Sequence, residues 1–309
     1  MIGEYILLTI IGLIVLIVGA ELAVRGSINL AKYYKISPFV VGAVLIAGGT
    51  SLPELASCLQ AINLESPDIV FGNVIGSNLA NILLVVGALA LASPIILNSH
   101  TQQAVEPSNW MMIFSTIVLM ICCLIGTINQ YFGLLLILLL LIYIFYLLKL
   151  KKFEIPTEES KNSILVTVIF IAGGLVGLIV GSNYFISGAV NIAQLFEIDE
   201  TIIGITIVAI GTSLPELAAG FVAIIKKNNE FAIGNIVGSN IYNILGILGI
   251  TSFVGGGFTI PYLIISREIW VLLAISIVFM VIIKFYKKIN RAIGVIFLTT
   301  YLLYLNFIL

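Results

Sequence analysis

Charge is what this sequence has least of. Only 9% of its 309 residues are Asp, Glu, Lys or Arg, against roughly 25% in a soluble domain. Apolar residues make up 61%, and mean hydropathy is +1.21. A soluble globular enzyme is excluded on those counts. Histidine occurs once, at His100, in a polar connection where solvent is expected around it. The three cysteines, Cys58, Cys122 and Cys123, have neither zinc-ligand spacing nor a disulfide framework and read as inert buried thiols. Basic excess is also missing: 14 Lys and Arg stand against 15 Asp and Glu. With no basic domain, nucleic acid is not a partner. Long polar stretches are absent too. The longest, Lys149 to Asn162, has 14 residues and no room for a soluble domain.

What the sequence does have is apolar runs. Ten segments of spanning length lie at about 5–30, 38–62, 69–93, 109–126, 130–149, 163–193, 201–225, 231–255, 268–285 and 291–309. The first follows Met1-Ile2-Gly3-Glu4, which carries no positive charge, so it reads as a first helix rather than a signal peptide. Basic residues follow the odd-numbered segments: Arg25, Lys32, Lys35; Lys149, Lys151, Lys152, Lys161; Lys226, Lys227; Lys284, Lys287, Lys288, Arg291. With ten spans, 13 of the 14 fall on one side and only Arg267 opposite. The acidic clusters Glu65/Asp68 and Glu197/Asp199/Glu200 fall on the other. The positive-inside rule then puts both termini outside a cell membrane. The expected partner is membrane lipid, and the expected unit a monomer.

Shifted by 162 residues, the sequence matches itself without a gap. Between Gly19–Gly87 and Gly181–Gly249, 26 of 69 positions are identical. The densest blocks pair Gly49-Thr50-Ser51-Leu52-Pro53-Glu54 with Gly211-Thr212-Ser213-Leu214-Pro215-Glu216. A second block pairs Gly72-Asn73-x-x-Gly76-Ser77-Asn78-x-x-Asn81 with Gly234-Asn235-x-x-Gly238-Ser239-Asn240-x-x-Asn243. Halves at 1–150 and 151–309 would each hold five spans, and an odd number inverts the second. The flanking charges agree: Arg25, Lys32 and Lys35 correspond to Ser187, Gln194 and Glu197, while Leu64 and Glu65 correspond to Lys226 and Lys227. Inverted repeats with interrupted helices point to a secondary transporter with its site at mid-membrane.

Pro53 and Pro215 lie inside the second and seventh segments. Proline has no amide proton and clashes with the carbonyl four residues back, so Gly49 and Gly211 lose their helical partners. Thr50 or Ser51 can cap a new half-helix. A broken backbone at this depth persists only inside protein or beside a cavity. The carbonyls of Ala47, Thr50, Ala209 and Thr212 then become candidate oxygen ligands; the plainer alternative is a proline kink. Each proline precedes a glutamate, Glu54 or Glu216, and none of the other 13 acidic residues lies as deep. A carboxylate at the bilayer centre costs at least ~2.5 kcal/mol. A divalent cation removes both the burial cost and the mutual repulsion. Calcium takes 6–8 oxygens, and two bidentate glutamates with the carbonyls of Thr50 and Thr212 supply six. The alternative is a structural pair of protonated glutamates. Asn73, Ser77 and Asn81 recur every four residues and share a helix face, as do Asn235, Ser239 and Asn243. Gly72/Gly76 and Gly234/Gly238 permit close helix packing. Glu21 with Arg25 reads as a helix-end ion pair, and Trp110 and Trp270 as interfacial anchors.

These doubled strings resemble the two alpha repeats of the sodium/calcium exchangers, within the calcium/cation antiporter superfamily. The resemblance runs over the whole chain, which looks like a compact prokaryotic member. It implies an all-α membrane protein of ten transmembrane helices in two inverted five-helix repeats, helices 2 and 7 being interrupted at the ion site. It implies no cofactor and no enzymatic activity, with sodium and calcium as transported ions. By motif, calcium would meet Glu54, Glu216 and the Thr50 and Thr212 carbonyls. Sodium would share that centre and occupy two flanks, one at Ala47, Ser51 and Ser77 and the other at Ala209, Ser213 and Ser239. Asn81 and Asn243 would complete the middle. Three sodium ions would exchange for one calcium while spans one and six slide past a fixed core. Some relatives, potassium-dependent ones among them, carry Asp at the place of Asn243, so its neutral amide argues against potassium co-transport. A proton/calcium antiporter of the same fold, a passive cation channel and an intramembrane hydrolase are the competing readings. The last lacks a nucleophile–base pair and metal-binding histidines.

Overall fold

The computed structural model describes residues 2–64, 66–97, 99–149, 162–198 and 209–308. The chain is a multi-pass, mostly helical membrane protein. In order, the helices are α1 (Ile2–Tyr34), α2 (Pro38–Asn63), α3 (Pro67–Ala92), α4 (Ser99–Ile125) and α5 (Gln130–Lys149). Then come α6 (Ile164–Leu195), α7 (Leu214–Ile225), α8 (Asn229–Val254), α9 (Ile264–Tyr286) and α10 (Arg291–Ile308). Among the described residues, nine helices are long and apolar enough to cross a membrane. The exception is α7, 12 residues preceded by a short helix at Ala209–Thr212. The first part of the expected seventh segment lies outside the described residues, as do Glu65, Asp199, Glu200, Lys151, Lys152 and Lys161. One boundary is corrected: α4 begins at Ser99, about ten residues early, so His100 lies in its first turn rather than in a connection.

Local chemistry explains the ends. Ser37 accepts a hydrogen bond from the Phe39 amide (3.1 Å) and Pro38 opens α2, an N-cap followed by proline at the first helical position. Ser163 caps α6 from the Val166 amide in the same way. Lys35 and Glu197, 162 apart, both take a left-handed φ where α1 and α6 end.

The two longest helices cross through glycine. A Cβ on Gly19 would sit 2.6 Å from the backbone of Gly177 and Leu178. Gly12 lies against Phe185, and Gly26 against Ile171. Numbers rise along α1 as they fall along α6, so the pair is antiparallel. The same contacts recur after the 162-residue shift: Gly174 against Ala23, Gly181 against Leu16, Gly188 against Thr9. Asn29 donates to the Thr167 hydroxyl farther along the seam. With no hydrophobic drive between helices in lipid, such small-residue contact is what lets them associate.

Four short strands, invisible in the hydropathy pattern, tie the ends. β1 (Ile95–Ile96) pairs antiparallel with β4 (Lys288–Ile289), and β2 (Thr127–Asn129) with β3 (Gly257–Thr259). Gly257 has φ +101°, and a Cβ there would meet the Ile128 carbonyl at 2.6 Å, so that strand needs glycine. Ion pairs link the helices. Glu21 binds Arg25 (2.5 Å), inside α1 rather than at its end, since the helix runs on to Tyr34, and also Lys226 (2.8 Å), which joins α1 to the end of α7. Glu106 on α4 meets Lys284 on α9 (3.6 Å). Trp110 and Trp270 are half exposed, with Lys284 over the Trp110 ring. All three cysteines are free and buried.

The interior is mostly apolar, as in a soluble protein, but so is much of the exterior. α1, α5 and α10 expose Ile6, Ile10, Ile14, Leu141, Ile142, Leu302 and Leu303. A contiguous apolar exterior of that kind marks a lipid-facing surface. The polar side chains are inside, on α2, α3, α7 and α8.

Candidate ion-binding site

α2 is helical from Pro38 to Asn63 except at two places. Gly42–Ile46 is a π-helical turn, and Ser51 leaves the helical region with ψ 4° two residues before Pro53. Ser213 does the same before Pro215, with ψ 3°. The expected interruptions are therefore present, as a single-residue break in each case. Their capping is corrected: neither Ser51 nor Ser213 caps the following helix with its side chain. Nor is the Ala47 carbonyl free, since it accepts from the Ser51 amide at 3.1 Å. Gly211, deprived of its partner by Pro215, accepts instead from the Ser182 hydroxyl on α6 at 3.0 Å. The equivalent of Ser182 in the first half is Ala20, which has no donor to offer Gly49.

Glu54 and Glu216 begin the second part of each interrupted helix and are 2% and 1% exposed. The charge of Glu216 is near enough to act on Glu54. Neither carboxylate meets a Lys or Arg among the described residues. Glu216 accepts from the Ser239 hydroxyl (3.3 Å). The Thr50 hydroxyl donates to the Ile46 carbonyl (3.0 Å). Ser51, Ser77, Asn81, Ser213, Ser239 and Asn243 are all buried. Thr212 is half-buried, and Ala47 is fully enclosed. The side chain of Ala209 lies outside the described residues.

Asn81 and Asn243 sit in π-helical turns, Ala80–Val85 and Tyr242–Ile247, at matching places in the repeat. Such turns cluster at functional sites. The turn with Asn81 packs on α7, which carries Glu216, and the turn with Asn243 packs on α2, which carries Glu54. Each glutamate's helix is thus packed against the asparagine-bearing turn of the opposite half.

The oxygens without donors decide what this cluster is for. Oε2 of Glu54 and Glu216, Oγ of Ser51 and Ser213, and Oδ1 of Asn81 and Asn243 are buried with no hydrogen-bond partner. They are three pairs, each 162 residues apart. Buried polar atoms are ordinarily satisfied, and an orphan calls for an explanation such as an ion. Six hard oxygens, two from carboxylates without a cationic partner among the described residues and four neutral, suit alkali and alkaline-earth cations. The small-residue pairs behave unequally. Gly234 and Gly238 lie against the α2 backbone at Phe39 and Ala43, but among the described residues nothing lies within 4 Å of a Cβ at Gly72 or Gly76. A cavity of about 670 Å³ borders these last two glycines and reaches Ser77 and Thr212.

A sequence profile described as "Sodium/calcium exchanger protein" matches residues 4–149 and 166–309. The chain belongs to the sodium/calcium exchanger family. It is 33% identical over 296 residues to an uncharacterized membrane protein of Methanocaldococcus jannaschii, covering 95% of this chain and 94% of that one. It is 32% identical over 308 residues to the putative antiporter CaxA of Alkalimonas amylolytica, covering 96% and 95%. Its fold is similar to that of the sodium-calcium exchanger NCX_Mj soaked with Na+ and Sr2+, with a TM-score of 0.84, 32% identity and 99% of both chains covered. The family is one of ion transporters, not enzymes. Within this exchanger fold three residues stand beside the site that motif reading passed over: Asn78, Asn240 and Ser182. Asn78 and Asn240 were visible in the repeat but off the every-fourth-residue stripe. Ser182 had no signal, because its partner in the repeat is alanine.

Proposed function

We propose that this chain is a secondary active antiporter exchanging sodium for calcium across a cell membrane by alternating access. The observation that carries the reading is the pair of buried carboxylates without a cationic side chain, ringed by orphan oxygens. A buried charge must be paired or neutralised; no Lys or Arg among the described residues pairs with either carboxylate, so the cargo supplies the counter-charge. Calcium would take Glu54, Glu216 and the Thr50 and Thr212 carbonyls. Sodium would take the same centre with Asn81 and Asn243, and flanking positions at Ala47, Ser51, Ser77 and at Ala209, Ser213, Ser239. The partnerless Ser51 and Ser213 hydroxyls favour sodium over proton coupling, because a proton exchanger needs only the carboxylates. The halves 1–150 and 151–309 are read as inverted five-helix units with both termini outside. The smooth glycine seam between α1 and α6 suits sliding past the core, and one chain contains the complete site as a monomer. The test is radioactive calcium uptake into sodium-loaded proteoliposomes. Uptake driven by a proton gradient and indifferent to sodium would favour the proton antiporter, and single-channel currents would favour a pore.

Three sodium ions exchanged for one calcium move one net positive charge per cycle, since three charges cross one way and two the other. Flux should then follow a valinomycin-set potential, each charge being worth ~2.3 kcal/mol per 100 mV. Indifference to potential would indicate two sodium ions.

Protons compete with calcium for the same carboxylate oxygens. Protonation removes the charge that binds metal, so exchange should weaken as pH falls and recover with more calcium. A fall in maximum rate at unchanged apparent calcium affinity would contradict competition.

Potassium should be dispensable. Asn243 offers a dipole where a charge would be needed, and its Nδ2 already donates to Asn78 Oδ1 at 3.4 Å. Calcium flux should be equal in potassium-free and potassium-containing vesicles at constant potential. An absolute potassium requirement would refute this role for Asn243.

A further inference from the structure

Asn81 Nδ2 donates to Asn240 Oδ1 at 3.1 Å, and Asn243 Nδ2 donates to Asn78 Oδ1 at 3.4 Å. The two bonds are one contact repeated. Asn78 and Asn240 are 162 apart, as are Asn81 and Asn243, so each bond crosses between halves and maps onto the other. All four amides are buried. A carboxamide has a donating and an accepting end of nearly equal shape, and only its partners choose which end faces where. Here the NH2 end of Asn81 and of Asn243 is spent across the repeat. The oxygen is left without a donor. Turning either amide over would set two oxygens together and direct NH2, a repulsive group, at a cation.

We propose that Asn78 and Asn240 are positioning residues that orient the Asn81 and Asn243 oxygens toward sodium in the middle position. This rests on the reading of Asn81 and Asn243 as sodium ligands. The two halves are not equally firm. Asn240 is itself held, its Nδ2 lying 3.6 Å from the Met112 sulfur on α4. The residue equivalent to Met112 is Ala274, and Asn78 Nδ2 has no partner. Asn243 is thus the less constrained of the two sodium amides. An aspartate there would present two acceptors to Asn78, which would have to reverse and offer its NH2.

The test uses the full chain, purified, with calcium binding measured calorimetrically at a series of sodium chloride concentrations. Asn78→Leu and Asn240→Leu remove the acceptors while keeping volume. Each should weaken sodium's competition with calcium about tenfold or more, the usual cost of losing an outer partner of a metal ligand. Calcium affinity without sodium should change less than about threefold, since the carboxylates and carbonyls that hold it are not oriented by these amides. Asn78→Ser is read the same way if the leucine variant does not fold; its hydroxyl is too short to reach Asn243. Unchanged sodium competition in a folded variant would overturn the proposal. So would parallel loss of sodium and calcium binding, which a merely structural residue produces. Unmodified chain whose calcium binding ignores sodium would instead overturn the sodium reading beneath it, and that failure is seen without any variant.

Discussion

Glu54→Gln and Glu216→Gln should each reduce sodium-driven calcium uptake to background while the protein still folds. The amide keeps the shape of the side chain but removes one of only two charges that can balance a divalent ion in a dry site. Breaking a buried charge pair costs about 3–5 kcal/mol, or roughly two to four decades in affinity. The ion-free protein should not suffer, because a buried carboxylate with no counter-charge is a burden on folding. Thermal melting in detergent without calcium should therefore be unchanged or raised in both variants, and calcium should no longer raise it. Near-normal flux in either well-folded variant would remove the carboxylates from the mechanism.

Gly19→Leu should be nearly as damaging, by a different route. Its Cβ would sit 2.6 Å from the backbone of Gly177 and Leu178, a distance no real contact occupies, and backbone cannot turn aside as a side chain can. The α1–α6 crossing must open or shift, at a cost of about 1–3 kcal/mol or more by analogy with overpacked cores. Gly173, on α6, the helix that Gly19 packs against, has nothing within 4 Å among the described residues, so Gly173→Leu is the control and should be tolerated. The measurements are yield of monodisperse protein, melting temperature and calcium flux. Equal behaviour of the two variants would mean that the glycine seam is not a packing constraint.

Much of the architecture was legible because lipid imposes it. With no water to satisfy backbone groups, apolar runs of spanning length must be helices, so the segments appear in hydropathy, and nine of them meet helices of spanning length among the described residues. The site was legible for a related reason. Pro53-Glu54 and Pro215-Glu216 are too costly in the middle of a membrane to persist without use, and their repetition at one fixed shift set them apart from ordinary kinks. What hydropathy misses is short or polar: the strands at Ile95–Ile96 and Thr127–Asn129 carry no spanning signal, and their partners lie far away in sequence.

Composition, spacing and the 162-residue repeat by themselves determined the class of protein, the two carboxylates and the neutral oxygens around them. They could not determine which atoms are left without partners, since that depends on the whole set of neighbours. The Ala47 carbonyl, freed on paper, is taken by the Ser51 amide. The Gly211 carbonyl finds Ser182, 29 residues away on another helix. Asn78 and Asn240 looked like further polar residues of a repeat until the fold set each against the other half's Asn243 or Asn81. A hydrogen bond has direction as well as composition, and only the packed helices fix which end of an amide is bonded and which is left without a partner.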